Sequence, residues 1–156
     1  SGSGKSTLTY QLAAAGWSYL SDDEVLLSLN GDEVEARGFR SFFAMRDVAN
    51  AGSLAFRNVF QPAEVFSSSR TTRVAPDRIL FTSVSGERKT RIVQLTQPET
   101  MMRLIRACPW ATYDTAVACA NLELLSRLAR QAKGFDLAAG TDLLEPARAA
   151  ELLRQR

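Results

Sequence analysis

The sequence predicts one α/β domain, a mixed sheet with hairpins and C-terminal helices, and three observations predict it. A glycine-rich loop runs straight into a helical repeat, short apolar runs alternate with turn residues through the middle, and apolar stripes at helical spacing fill the last third. The chain has 156 residues, which fits one domain with a core of its own better than two. No apolar run approaches the roughly 18 residues that cross a bilayer, and the first residues are not a signal peptide. The expected compartment is therefore the cytoplasm, with no membrane partner.

Taken in order, residues 5–15 read as a helix with Leu8, Leu12 and Ala15 on one face, stopped by Gly16. Trp17 to Leu20 reads as a short buried strand ending at Ser21-Asp22-Asp23. Val25 to Leu29 is a further strand, and Asn30-Gly31 predicts a type I′ turn into Glu33–Ala36. Residues 37–76 carry no clear period. Arg78 to Val84 alternates, Ser85-Gly86-Glu87 reads as a turn, and Lys89 to Leu95 as the returning arm of a hairpin. Pro98 opens a helix with Met101, Leu104, Ile105 and Cys108 in its stripe, and Pro109 ends it. Asp114 or Thr115 starts a longer helix with Val117, Ala120, Leu124 and Leu128 facing inward and Gly134 closing it. Phe135 to Ala138 resembles a strand, and Pro146 sits in the first turn of a terminal helix.

Composition narrows the chemistry. There is no histidine, so a Ser-His-Asp triad and a histidine general base are excluded, and Cys108 and Cys119 alone are too few for a zinc site. Proton transfer falls to carboxylates, lysine, tyrosine or water. Residues 1–36 hold one lysine against six acids, and residues 37–106 hold twelve basic residues against five acids. The basic segment lacks aromatic interleaving or any nucleic-acid motif, so a solvated arginine-rich surface is expected and nucleic acid is not an expected partner.

The chemistry-bearing motif is Gly2-Ser3-Gly4-Lys5-Ser6-Thr7. It matches the end of the phosphate-binding loop G-x-x-x-x-G-K-[ST], the Walker A motif. Aligned this way, the motif's first glycine falls two residues before Ser1, so the expectation is a chain that begins inside its own motif, without the strand that feeds it. Glycines let backbone N–H groups turn inward onto phosphate oxygens, and the following helix adds its positive end. Lys5 reaches the β- and γ-phosphates as a mobile charge, and the Ser6 hydroxyl is a hard ligand for Mg²⁺. The expected cofactors are ATP and Mg²⁺, with Ser1 to Thr7 as the binding residues. Asp22 and Asp23 end the first short strand after the loop helix, which in a parallel core delivers them to the same edge as the loop. One carboxylate there can hold magnesium or its waters, with Ser6 and Asp22 as the metal candidates, while another takes the proton from an attacking hydroxyl.

Transporter ATPases share the loop string but add an LSGGQ-like signature and a later strand ending in Asp-Glu, and neither is present. Small-molecule kinases of the shikimate or gluconate type use an arginine-bearing lid and helices between strands, where this chain has hairpin signals. The order of Ser1-Gly2-Ser3-Gly4-Lys5-Ser6, Gly16 and Trp17-Ser18-Tyr19-Leu20-Ser21-Asp22-Asp23 more closely resembles the HPr kinase/phosphorylase family, of the phosphoenolpyruvate-carboxykinase-like P-loop group. Arg78-Ile79-Leu80-Phe81, through Ile92 and Leu95 to the Pro98 helix, looks like the C-terminal part of related bacterial serine kinases.

The resemblance implies a single P-loop kinase-like domain over residues 1–156. It implies Asp23 as general base toward a substrate serine, Asp22 supporting magnesium or orienting the site, and Lys5 with Ser6 serving nucleotide and metal. Kinases of the HPr type assemble into oligomers, so a homo-oligomer is part of the same expectation. Two departures stand out: Ala36-Arg37-Gly38 is the nearest string to the family's Glu-Arg-Gly motif, and Thr7 stands where the HPr enzymes have Glu. Both point away from HPr itself and toward a related serine kinase whose phosphoacceptor is a protein, a peptide or a small molecule. A nucleotide-binding regulatory module without transfer activity, and a sugar or metabolite kinase, remain the alternatives. Arg88, Lys89 and Arg91 are candidate cationic groups for transferred phosphate, against a plainer reading as exposed hairpin arginines and lysine.

Overall fold

The computed structural model describes residues 2–39, 42–46, 57–60, 66, 70–109 and 113–154. Ser1 and much of the stretch from 40 to 69 lie outside them. The chain is mixed α/β, with three small sheets among the described residues.

Helix α1, Lys5–Ala14, starts directly from Gly4 and ends in a Schellman motif. The Gly16 N–H donates to the Ala13 carbonyl and the Trp17 N–H to the Leu12 carbonyl, each at 3.0 Å. That pairing needs a left-handed residue after the cap, and Gly16 has φ 86°. Leu8 and Ala13 are its buried side chains.

Strands β1 (Val25–Asn30) and β2 (Glu33–Gly38) pair antiparallel as expected. The turn differs in position and type. Asn30 pairs with Glu33, so Gly31 and Asp32 form the loop, and of the two only Gly31 has positive φ, at 62°. One left-handed residue at the first loop position is the type II′ requirement, whereas type I′ needs two. Trp17–Leu20 does not form a strand; its pairing is an isolated parallel bridge from Tyr19 to Arg70. Strands β3 (Phe43–Arg46) and β4 (Arg57–Phe60) pair with each other, and β5 (Arg73–Val74) joins the free side of β2.

The expected second hairpin is replaced by a different topology. Strands β6 (Arg78–Val84) and β7 (Arg91–Gln94) flank β8 (Lys133–Ala139) and do not touch as a pair. β8 runs parallel to β6 and antiparallel to β7. The segment between β6 and β7 bonds to the last residue of β8 and to residues that follow it. Ser85 N–H donates to Ala139 O at 3.0 Å and Thr141 N–H to Glu87 O at 3.0 Å.

Helix α2, Gln97–Ala107, begins in a capping box: Thr96 Oγ1 accepts from the Glu99 N–H while the Glu99 carboxylate accepts from the Thr96 N–H. Helix α3, Thr115–Gln131, is capped by Asp114. Its buried residues are Leu125, Leu128 and Ala129, whereas Val117, expected inside, is exposed. Gly134 does not close α3 but lies within β8, under Thr100 of α2, where a Cβ would come within 2.8 Å of Thr100 Cγ2. A 3₁₀ turn, Thr141–Leu144, leads to α4, Pro146–Arg154.

Alternation along β6 sorts the layers. Ile79 and Phe81 face a core built by Leu104 of α2 and Leu125, Leu128 and Ala129 of α3. Leu80 faces the opposite core, built by Leu8 of α1, Leu137, Leu143, Ala149 and Leu153. Helices α1 and α4 therefore cover one face of the β6–β8–β7 sheet, and α2 and α3 the other. Leu137, fully excluded from solvent at the centre, contributes about 2–3 kcal/mol by burial alone. The Gln131 side chain ties the β1–β2 hairpin to α3: it accepts from the Val34 N–H at 2.7 Å and donates to the Val34 carbonyl at 3.0 Å. Cys108 packs against the α2–α3 core, where burial pushes its thiol up. Cys119 is exposed, and both are free.

Candidate functional site

The loop Gly2-Ser3-Gly4 stands at the carboxyl end of the parallel pair β6 and β8. A Cβ on Gly4 would lie 3.6 Å from Val84 Cγ2, at the last residue of β6. Thr82 Oγ1 lies 3.5 Å from Ser3 Oγ. Gly2 and Gly4 have φ 88° and 85°, a conformation that L side chains rarely adopt. Two left-handed residues around one serine, with a helix opening at the next residue, are a backbone pattern that can turn successive N–H groups toward one side. The Lys5 ammonium bends back over this loop and donates to Ser3 Oγ at 2.8 Å. Ser6 and Thr7, both half-buried, occupy the first turn of α1.

Beside the loop lies a cleft of about 170 Å³. Gly4, Thr7 and Leu8 line it from the loop and α1, and Val84, Ala139, Gly140, Thr141, Leu143 and Leu144 from the strand ends and the turn after β8. Gly86 and Glu87, from the β6–β7 connection, complete the lining. The wall after β8 is held by Asp142, whose carboxylate accepts from the Thr90 N–H at 3.0 Å and from the Thr90 hydroxyl. Thr90 Oγ1 in turn accepts from the Gly140 N–H at 3.0 Å. Burial pushes the Asp142 carboxyl up, but the Thr90 hydroxyl and amide, aided by Arg148, outweigh it and hold the group below its ordinary value. Gly140 is required by close approach: a Cβ there would come within 2.6 Å of the Lys89 carbonyl carbon and 2.7 Å of the Arg88 oxygen. Arg88 and Lys89 thus contribute backbone to this wall while their side chains are exposed.

The fold brings Gly2 to Thr7 together at one sheet edge. It does not put Asp22 and Asp23 on that sheet. They follow the Tyr19–Arg70 bridge and precede β1, with Asp22 half-buried and Asp23 exposed, and neither lines the cleft. Leu20, two residues before Asp22, packs against Gly38 at the end of β2, where a Cβ would meet the Leu20 carbonyl. Among the described residues no three acid or cysteine side chains gather as a metal cluster. Magnesium on a phosphate loop does not require one, since substrate phosphates and water fill most of its shell. Arg91 is an exposed residue of β7.

Sequence reading missed Thr82, Glu87, Thr90 and the run Gly140-Thr141-Asp142. The available signal was Gly140 directly after the apolar alternation Phe135, Leu137, Ala139, marking a strand end at the loop's own edge. No family model, no curated protein and no solved structure matches the chain.

Proposed function

We propose that the chain binds the phosphates of ATP, with Mg²⁺, on the loop Gly2–Thr7 and transfers the γ-phosphoryl group to a serine-like hydroxyl, in the manner of the serine kinases related to HPr kinase. The observation that carries the reading is the pair of left-handed glycines flanking Ser3, with the Lys5 ammonium folded back over them onto Ser3 Oγ at 2.8 Å. The position of this loop at the carboxyl end of a parallel strand pair supports it further, since open α/β sheets bind ligands there. In this reading Lys5 leaves Ser3 for the β- and γ-phosphates and Ser6 offers its hydroxyl to magnesium. Thr7 belongs to the first turn of α1, whose positive end would face the phosphates. Asp23 accepts the acceptor's proton as its oxygen attacks phosphorus, ADP leaves, and Asp22 orients the site or the metal's waters.

The test is calorimetric titration of Mg-ATP into the protein and its Lys5→Ala variant, followed by labelled ATP with cell extract. Binding is expected for the wild type and lost in the variant, with a labelled acceptor for the wild type alone. Asp23→Asn should abolish labelling while leaving nucleotide affinity within about threefold. Equal binding by Lys5→Ala would overturn the loop assignment. The location of Asp22 and Asp23 away from the cleft lining favours one further reading, a regulatory module that binds ATP and transfers nothing. Binding without any labelled acceptor would select it.

A further inference from the structure

We infer that the cleft beside the loop seats the purine base of the same nucleotide and does so without reading the base edge, so that ATP and GTP are accepted alike. This inference rests on the phosphate-binding reading of Gly2–Thr7. The cleft starts where that loop ends, since Gly4 and Thr7 belong to both. Its volume of about 170 Å³ is below the roughly 300–1,000 Å³ of pockets that enclose a whole ligand. One flat ring system fits, with ribose and phosphates outside on the loop. Leu8, Val84, Leu143 and Leu144 give it apolar walls.

Base selectivity needs unspent hydrogen-bonding groups facing the ring edge, and four backbone groups of the far wall are already spent. Ala139 O accepts from both the N–H and the hydroxyl of Ser85, each at 3.0 Å. The Gly140 N–H donates to Thr90 Oγ1 at 3.0 Å, and its carbonyl accepts from the Leu143 N–H at 3.3 Å. The Thr141 N–H donates to Glu87 O at 3.0 Å. Glu87 is the one charged residue of the lining, exposed on the β6–β7 connection, and its carboxylate can accept from the amine of adenine or of guanine. Sites that grip through apolar contact discriminate by small factors, whereas sites built on edge hydrogen bonds reject by 10⁴-fold or more.

The experiment is calorimetric titration of the magnesium complexes of ATP, GTP and inorganic tripolyphosphate into the wild type, Thr141→Trp, Leu144→Trp and Lys5→Ala. Both tryptophan variants replace exposed residues of the cleft wall, and circular dichroism checks that each folds. The wild type should bind ATP and GTP within about tenfold of each other, and each at least about tenfold more tightly than tripolyphosphate. Filling the cleft should bring both nucleotides down to the tripolyphosphate level while tripolyphosphate itself is unchanged. A preference between ATP and GTP above tenfold, or nucleotide affinity untouched by both tryptophans, or tripolyphosphate binding as tightly as ATP, overturns the inference and leaves the loop standing. If Lys5→Ala binds all three ligands like the wild type, or no ligand binds the wild type, the failure lies in the loop itself and the inference falls with it.

Discussion

Gly134 and Thr100 offer the sharpest test of the packing that fixes the sheet. Thr100 is 1% exposed, and its hydroxyl donates to the Thr96 carbonyl at 2.9 Å in the first turn of α2. A Cβ at Gly134 would fall on Thr100 Oγ1 and come within 2.8 Å of its Cγ2 and 2.9 Å of its Cβ. Gly134→Ala therefore either pushes α2 off β8 or expels the threonine side chain. Overpacking of a closed core costs about 1–3 kcal/mol, and losing the threonine hydrogen bond adds about 1 kcal/mol. Alanine's lower backbone entropy returns about 0.5–1 kcal/mol. The expected net loss is about 1–3.5 kcal/mol, read as a lower urea midpoint at unchanged slope. Thr100→Ala alone should cost about 1–2 kcal/mol through the lost hydrogen bond and a small void. The double variant should cost less than the sum of the two singles by at least about 1 kcal/mol, because Oγ1 and Cγ2, the two nearest of the three clashing atoms, are gone and only the Cβ contact at 2.9 Å remains. Additive losses would refute the steric account.

Two further outcomes follow from polar contacts. Asp142→Asn should lower stability at neutral pH by weakening the grip on Thr90. Because the native carboxyl is held below its ordinary value of 3.8, its contribution is present above that pH and lost as pH falls through the depressed native value. The gap between wild type and variant, followed as urea midpoint against pH, should therefore close below pH 3.8; a gap independent of pH would contradict this. Thr96→Ala removes the cap whose amide and hydroxyl hold the Glu99 carboxyl below its usual range. A stability loss of about 1 kcal/mol is expected, accompanied by faster amide exchange in the first turn of α2.

Local signals were legible in the sequence, and pairing between distant segments was not. Gly16, Pro98, Asp114 and Pro146 mark helix ends through backbone geometry that each residue dictates alone, and all four sit where that chemistry puts them. Val25–Asn30 and Glu33–Gly38 pair because the turn between them is two residues long. Arg78–Val84 and Arg91–Gln94 carried equally good hairpin signals, yet β8 comes between them from about 50 residues later. Strand order is a tertiary choice, decided here by Phe135 and Leu137, which are buried more completely than any residue of β7. Gly134 was misread for the same reason: its lack of a side chain serves contact with Thr100, not a turn. At the candidate site, the run Gly2 to Thr7 can be singled out from sequence because it is contiguous, whereas the cleft beside it is lined from three separate segments.

The central place of β8 in its sheet has a consequence for synthesis. Both neighbours, β6 and β7, leave the ribosome before Lys133–Ala139, the strand that must lie between them. Until Ala139 has emerged, the sheet has two flanks and no centre, and each flank presents backbone groups that β8 will later pair. Those flanks are joined by a short connection and can meet each other first, so the nascent chain holds a competing pairing that β8 has to displace.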